Sequence, residues 1–84
     1  MRKWIERAKE TYRFHREKLL VNPKWTTVQT SKSLRRSLGS ISEDLLIARW
    51  SRTHEVQLEK FKYGYQALEW IREKQKEQER EDIA

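Results

Sequence analysis

Two histidines and one pair of adjacent carboxylates are the side chains most able to support catalysis or to bind a metal. His15 and His54 lie far apart along the chain, and no cysteine is present to join them in a metal site. Glu43 and Asp44 are neighbours, and neighbouring side chains on a helix diverge by about 100°, so they are a poor hydrolytic pair. No glycine-rich phosphate loop or nucleophile motif occurs. The sequence therefore predicts no enzyme activity, no metal site and no cofactor.

The distribution of charge points instead to binding. The 84 residues include 19 Lys/Arg and 13 Asp/Glu, for a net charge of +6. Residues 1–36 carry eleven basic and three acidic side chains, residues 37–62 carry four of each, and residues 63–84 carry four basic and six acidic ones, for net charges of +8, 0 and −2. A cationic front half predicts a surface that faces a polyanion. The simpler alternative is a solvated helix surface, because Lys/Arg-rich helices are common.

The elements that carry these charges are predicted to be helices, because only two Gly and one Pro punctuate the chain. The first helix is expected from Arg2 to Leu20, and Pro23 should stop it by pushing the preceding residue out of the helical region. About five helices are expected around a Trp-rich core. We divide the chain into a basic N-terminal helix and linker at 1–24, a helical unit at 25–72, and a charged helix end or tail at 73–84.

Caps and breaks suggest where the other helices begin and end. Thr26 or Thr27 can cap the second helix, and Thr53 can cap a short fourth helix. Tyr63-Gly64 should separate that helix from the fifth. Trp50 is expected in the core, at the end of the third helix.

Several absences bear on the compartment in which the protein works. The lack of cysteine fits a reducing environment. No apolar run approaches the ~18 residues that a membrane span needs, and the N-terminal residues lack the apolar region of a signal peptide. We therefore expect a protein of the cytoplasm or nucleus with no membrane partner.

The stretch "TSKSLRRSLGSISEDLLIARW", residues 30–50, has the spacing of two helices joined by a tight turn. Ser31 is small enough for a second helix to cross closely, and Leu34 follows three residues later. Ile41 lies ten residues after Ser31, and Leu45 and Ala48 continue its inward face. Ser37 can cap the second of these helices. A helix-turn-helix places such a capped helix in the major groove of DNA.

These residues carry a resemblance to known DNA-binding motifs. "TVQTSKSLRRSLGSISEDLLIA" resembles the helix-turn-helix of the phage Cro repressors and, more closely, of the ParB-like partition and phage DNA-binding proteins, and covers about a quarter of the chain. The matched positions are Thr30, Ser31, Leu34, Ser37, Ile41, Ser42, Asp44, Leu45 and Ala48. Arg35 stands where the family usually has Gly, and Arg36 where it usually has an apolar residue. Arg35 would have to adopt a left-handed backbone, or the turn would have a different shape.

The resemblance implies sequence-specific binding of double-stranded DNA by a phage or mobile-element regulator. The chain would equally suit the DNA-binding module of a larger protein such as a nuclease, in the cytoplasm of a bacterial host cell. A homodimer on a repeated site would add to specificity. The expected base contacts come from Leu38, Gly39, Ser42 and Glu43. The expected phosphate contacts come from Thr27, Lys32, Arg35, Arg36, Ser37, Ser40 and Arg49.

Two alternatives stay open on the sequence alone. Ser40 and Glu43 form the S-x-x-E pattern of a capping box, so the second helix can instead run to Leu38, with Gly39 after its end and the third helix starting at Ser40. The helices would then form an ordinary bundle joint. The alternative function is a small helical adaptor for an acidic protein partner.

Overall fold

The computed structural model describes the backbone of residues 2–83 and the side chains of residues 2–80. This part of the chain forms four helices: α1 (Lys3–Val21), α2 (Thr27–Leu34), α3 (Leu38–Glu59) and α4 (Gly64–Ile83). It contains no β-strand, which confirms the predicted all-α fold. Over the same residues, no helix combines the length and the apolar character that crossing a bilayer requires.

The linker between α1 and α2 follows the predicted signals. α1 ends at Val21, because Asn22 before Pro23 is extended, with φ −135° and ψ 100°. Thr26 caps α2 and forms a capping box with Gln29. Trp25 anchors the linker, since its Nε1 donates to Thr30 Oγ1 at 2.8 Å. Thr30 itself is fully buried, so the linker is fixed against the body of the protein.

The third and fourth predicted helices are joined end to end in α3, with a kink at His54 beside the predicted boundary. α3 continues from Leu38 to Glu59, and His54 is its one residue with non-helical backbone angles (φ −129°, ψ 30°). The predicted break is therefore confirmed to within one residue of Thr53, whose hydroxyl lies 2.7 Å from His54 Nδ1. The His54 ring packs 4.9 Å from Trp50 and 5.7 Å from Trp70. These contacts stabilise the kink, so the described residues form four helices where about five were predicted.

The core lies where α1, α3 and α4 meet. Its buried members are mostly aliphatic: Ile5, Ala8, Ile47, Ala48, Leu58, Ala67, Leu68 and Ile71. Three half-buried tryptophans, Trp4, Trp50 and Trp70, pack against this cluster. Trp50 meets Trp70 edge to face, with ring centroids 5.9 Å apart. Trp50 therefore joins the rim of the core from the middle of the long α3.

The charged C-terminal segment is a helix end, which was one of its two predicted forms. α4 continues to Ile83 without a break. Lys74 and Gln75 are half-buried, and residues 76–80 are exposed. Lys74 lies over the Trp70 ring at 5.7 Å and pairs with Glu77 at 3.3 Å. Packing thus ends near residue 75, and the following turn of α4 is solvated.

Candidate nucleic-acid interface

A turn of three residues, 35–37, connects α2 to α3. Arg35 adopts the left-handed conformation (φ 55°, ψ 44°) that the resemblance requires at this position. Ser31 closes the turn twice, because its carbonyl accepts from the Arg36 N–H at 3.1 Å and its hydroxyl donates to the Arg36 carbonyl at 2.5 Å. Such a conformation is strained for a residue with a side chain. The strain is borne here by an arginine, where glycine would be free of it.

The start of α3 decides between the two interpretations of the turn. Ser37 is the N-cap residue, and its hydroxyl accepts from the Ser40 N–H at 3.1 Å. α2 ends at Leu34, four residues before the end that the capping-box alternative requires. The alternative in which Ser40 and Glu43 form a capping box is therefore wrong. Glu43 is free of a capping role in the described structure and is exposed.

The four predicted base-contacting residues share one exposed surface on the first turns of α3. Leu38 is 47% exposed. Gly39, Ser42 and Glu43 are also exposed. A Cβ on Gly39 would meet no atom within 4 Å, so packing within this protein does not require glycine there. Glycine near the start of a helix lowers its stability, and an approaching ligand would justify that cost.

The inward face of α3 follows the predicted spacing. Ile41 and Ala48 are buried and Leu45 is half-buried. Asp44 joins this face as a fully buried carboxylate. The sequence matched its position to the family pattern and excluded only a hydrolytic pair with Glu43. The structure instead gives Asp44 partners from two other segments.

These partners form a polar group that we call the Asp44 network: Asp44, Arg7, Thr11, Arg36 and Ser40. Arg36 Nη2 donates to Asp44 Oδ2 at 2.7 Å, and Arg7 Nη2 donates to Oδ1 at 3.2 Å. Thr11 Oγ1 donates to Oδ2 at 2.9 Å. The network ties α1, the turn and α3 together. A buried carboxylate is tolerated only when it is paired in this way.

The network changes the role of two predicted phosphate contacts. Besides Asp44, the Arg36 guanidinium donates to Thr11 Oγ1 at 2.9 Å and to Ser40 Oγ at 2.6 Å. The Arg36 side chain is only 23% exposed. Arg36 and Ser40 thus have hydrogen-bond partners inside the protein, and the Arg36 guanidinium is directed towards Asp44.

The remaining phosphate candidates divide into a near and a distant set. Lys32, Arg35 and Ser37 are exposed and lie at the end of α2 or in the turn. Thr27 is half-buried at the start of α2. Arg49 is exposed, but it lies about 16 Å along α3 from Leu38, at 1.5 Å per residue. The structure therefore groups two cations, Lys32 and Arg35, around the turn and leaves Arg49 apart.

Sequence analysis missed a second group of side chains beside Glu43. Tyr63 and Tyr65, at the start of α4, stack with ring centroids 5.7 Å apart and planes within 10°. They are 49% and 61% exposed, and with Arg7 and Glu43 they line a hollow of about 280 Å³. The sequence marked Tyr63-Gly64 only as a break. No local pattern could bring residues this distant to the first turns of α3.

The two histidines lie apart, as their sequence separation suggested. His15 Nδ1 is 2.6 Å from the buried Thr30 hydroxyl, and His54 stacks on Trp50. Over the residues that the structure describes, no group of three or more His, Asp or Glu side chains is arranged to hold a metal ion. Both histidines therefore have contacts that account for them within the fold.

Comparison with known proteins leaves the resemblance untested. No protein-family model, curated protein or solved structure matches this chain. Any function must therefore be argued from the turn, the exposed start of α3 and the charges around them.

Proposed function

We propose that this protein binds double-stranded DNA sequence-specifically through a helix-turn-helix formed by α2, the turn and α3. The observation that carries the proposal is the left-handed Arg35 followed by Ser37 as the cap of α3. This left-handed backbone is the conformation that the sequence resemblance requires at position 35. An arginine adopts it here in place of the usual glycine. Glycine would serve the backbone without strain, so a phosphate contact by the exposed Arg35 guanidinium would offset the strain of an arginine here.

The exposed start of α3 has the character of a surface that enters a groove. Backbone N–H groups at a helix N-terminus favour an anion such as phosphate. Leu38 would meet a thymine methyl group, and Gly39 would let the backbone approach the base edges. Ser42 can donate to or accept from most bases, and Glu43 can accept from a cytosine amino group.

Phosphate contacts in this proposal come from Lys32, Arg35 and Ser37, with Thr27 at the start of α2 and Arg49 further along α3. Arg36 is left out, because its guanidinium is bound to Asp44. Three cations then face the DNA backbone, Lys32, Arg35 and Arg49. Each phosphate neutralised contributes about −0.9 to the slope of log K against log salt, so we expect a slope of roughly −3.

Base recognition of this kind is modest, since the exposed face has no Asn, Gln or Arg on its first turns. Part of the specificity should then come from DNA shape, or from two copies on a repeated site. A regulator of a phage or mobile element, working in the cytoplasm of a bacterial host, fits a small chain of this kind. The DNA-binding module of a larger protein such as a nuclease fits as well. In either role the chain itself is not an enzyme.

Selection from a random pool of duplexes tests the proposal. The protein is incubated with the pool, bound duplexes are sequenced over several rounds, and the selected duplex is titrated by fluorescence anisotropy at several salt concentrations. We expect one enriched motif, and an affinity that falls steeply with salt while preference for the motif remains. A pool that stays random after selection would contradict sequence-specific binding.

A further inference from the structure

A second surface lies between α1 and α3, away from the turn. It is an open groove of about 480 Å³ between the second half of α1 and the middle of α3. Tyr12 and the buried Ala48 form its apolar floor. Leu20 extends the apolar surface at one end, where its side chain is 77% exposed.

Three arginines border this floor. Arg13 and Arg16 line it from α1 and Arg52 from α3, and all three are exposed. Arg16 Nη1 donates to the Tyr12 hydroxyl at 3.2 Å, which holds one guanidinium at the groove. None of the three takes part in an ion pair within the described side chains.

The other charged side chains of the groove leave its net charge positive. Lys9 lines the groove but pairs with Glu55 at 2.5 Å, so its charge is offset. Glu17 also lines the groove and offsets one arginine. With Lys9 paired to Glu55 and Glu17 offsetting one arginine, the groove keeps a net charge of +2. Fixed cations beside an apolar floor complement a ligand that is both acidic and apolar.

We propose that the α1/α3 groove binds an acidic amphipathic peptide segment of a partner protein. Arg13, Arg16 and Leu20 follow one another at spacings of three and four residues, so they lie on one side of α1 over about 10 Å. A partner helix with carboxylates at the same spacing meets this row while its apolar residues cover Tyr12 and Leu20. Arginine suits the role because its guanidinium pairs with a carboxylate through two hydrogen bonds.

The position of the groove favours a peptide over the DNA duplex. At about 100° per residue, helix positions nine apart point in opposite directions. Gly39, on the exposed start of α3, and Ala48, on the groove floor, are related in this way. A duplex centred on Gly39 therefore faces away from the floor, which is left to a peptide, whereas Leu38 is turned only about 80° from Ala48, so the DNA surface and the groove are neighbouring faces of α3.

A designed peptide tests the groove with the intact chain. The probe is a 16-residue helical peptide with Glu at every third or fourth position and Leu beside each Glu, and its control has Gln for every Glu. We expect the Glu peptide to bind and the Gln peptide to bind at least tenfold more weakly. Replacing Arg13, Arg16 and Arg52 together by Gln should weaken binding of the Glu peptide about tenfold or more.

A matched variant separates the groove from net charge. Lys3, Lys24 and Lys60 are exposed and lie outside the groove, so their triple replacement by Gln removes the same charge. We expect this variant to bind the Glu peptide within about twofold of the unmodified protein. As a second probe, Leu20→Glu puts a negative charge at the groove end on an exposed side chain, and it should abolish peptide binding without unfolding the protein.

Two outcomes would overturn the proposal. If the two triple variants lost equal affinity for the Glu peptide, the peptide would be attracted by the overall charge of the protein alone. A groove variant that keeps peptide binding but loses binding of a random-sequence duplex would assign the arginines to nucleic acid. Circular dichroism melts of each variant ensure that the comparison is between folded proteins.

Discussion

At the scale of single residues, one buried carboxylate organises the junction between α1, the turn and α3. Asp44 is 1% exposed at its side chain and receives hydrogen bonds from Arg7, Thr11 and Arg36. The pairing with Arg36 directs that guanidinium inward and leaves Arg35 as the outward cation of the turn. The two adjacent arginines therefore have different roles, one in stability and the other, in our proposal, in binding.

Removing the charge of the buried Asp44 should lower the free energy of unfolding far more than removing the charge of its exposed neighbour Glu43. Asp44→Asn leaves the half-buried Arg36 without its counter-charge, and breaking a buried pair in this way costs about 3–5 kcal/mol. Glu43→Gln removes the same charge from an exposed position and should change the free energy of unfolding by less than about 0.5 kcal/mol. Urea denaturation of the two variants makes the comparison. If the two variants lost equally little free energy of unfolding, the Asp44 network would contribute little to stability.

Glu43→Gln also tests base contact. Because Ser37 caps α3, the change should leave stability nearly unaltered. If Glu43 contacts a base, the preferred nucleotide at one position of the selected motif should change. Repeating the duplex selection with the variant measures this. An unaltered motif would remove Glu43 from the base-contacting residues.

Arg35 offers a variant in which stability and binding should move in opposite directions. Arg35→Gly relieves the left-handed strain and should stabilise the fold by up to about 1 kcal/mol. The same change removes a proposed phosphate contact, so it should weaken duplex binding and reduce the salt slope by about one unit. Arg35→Ala is the control, since it removes the charge and keeps the strain. Tighter duplex binding by the Gly variant would argue against a phosphate contact.

At the scale of elements, the cap of α3 fixes where the exposed surface begins. Ser37→Ala removes the hydroxyl that accepts from the Ser40 N–H and should cost about 1 kcal/mol, or roughly 4–8 °C in Tm. Ser42→Ala, one turn later, has no comparable bond to lose and should melt like the unmodified protein while binding the selected duplex more weakly. Thermal melts and duplex titrations of both variants distinguish the two serines. A Tm loss confined to Ser42→Ala would contradict the assigned cap.

Local signals predicted some elements well because the deciding contacts are local. Pro23 ends α1, and Thr26 caps α2 through a bond to a residue three positions away. Thr53 marked the break to within one residue, but the His54 ring packs against Trp50 and Trp70, and the two helical stretches join as one kinked α3. That contact joins α3 to a helix that follows in the chain. Sequence patterning cannot weigh a local cap against a contact of this kind.

Contacts between segments that are distant in the sequence also limited the prediction of the candidate interface. The exposure of Leu38, Gly39, Ser42 and Glu43 followed from helical spacing. The inward turn of Arg36 did not, because its partner Asp44 is itself bound by residues of α1 that lie more than thirty positions away. The tyrosines beside Glu43 were missed for the same reason.

At the scale of the whole molecule, α3 separates two surfaces. The exposed start of α3 and the turn form the proposed DNA surface, and the α1/α3 groove lies on a neighbouring face of α3. The core of α1, α3 and α4 joins them, so neither surface depends on a flexible connection. The net charge of +6 attracts polyanions to both, and specificity must then come from the residues at each surface.

The central claim is that duplex DNA binds on the exposed start of α3, and one matched pair of variants tests it most directly. Ser42→Glu adds a negative charge to that surface. Val56→Glu adds the same charge elsewhere on α3, at a side chain that is 78% exposed. Affinity for the selected duplex is measured by fluorescence anisotropy at one salt concentration. Like charges brought together at an interface cost several kcal/mol, so we expect Ser42→Glu to weaken binding about 100-fold or more and Val56→Glu to weaken it less than about threefold. Equal affinities for the two variants would contradict binding through the start of α3.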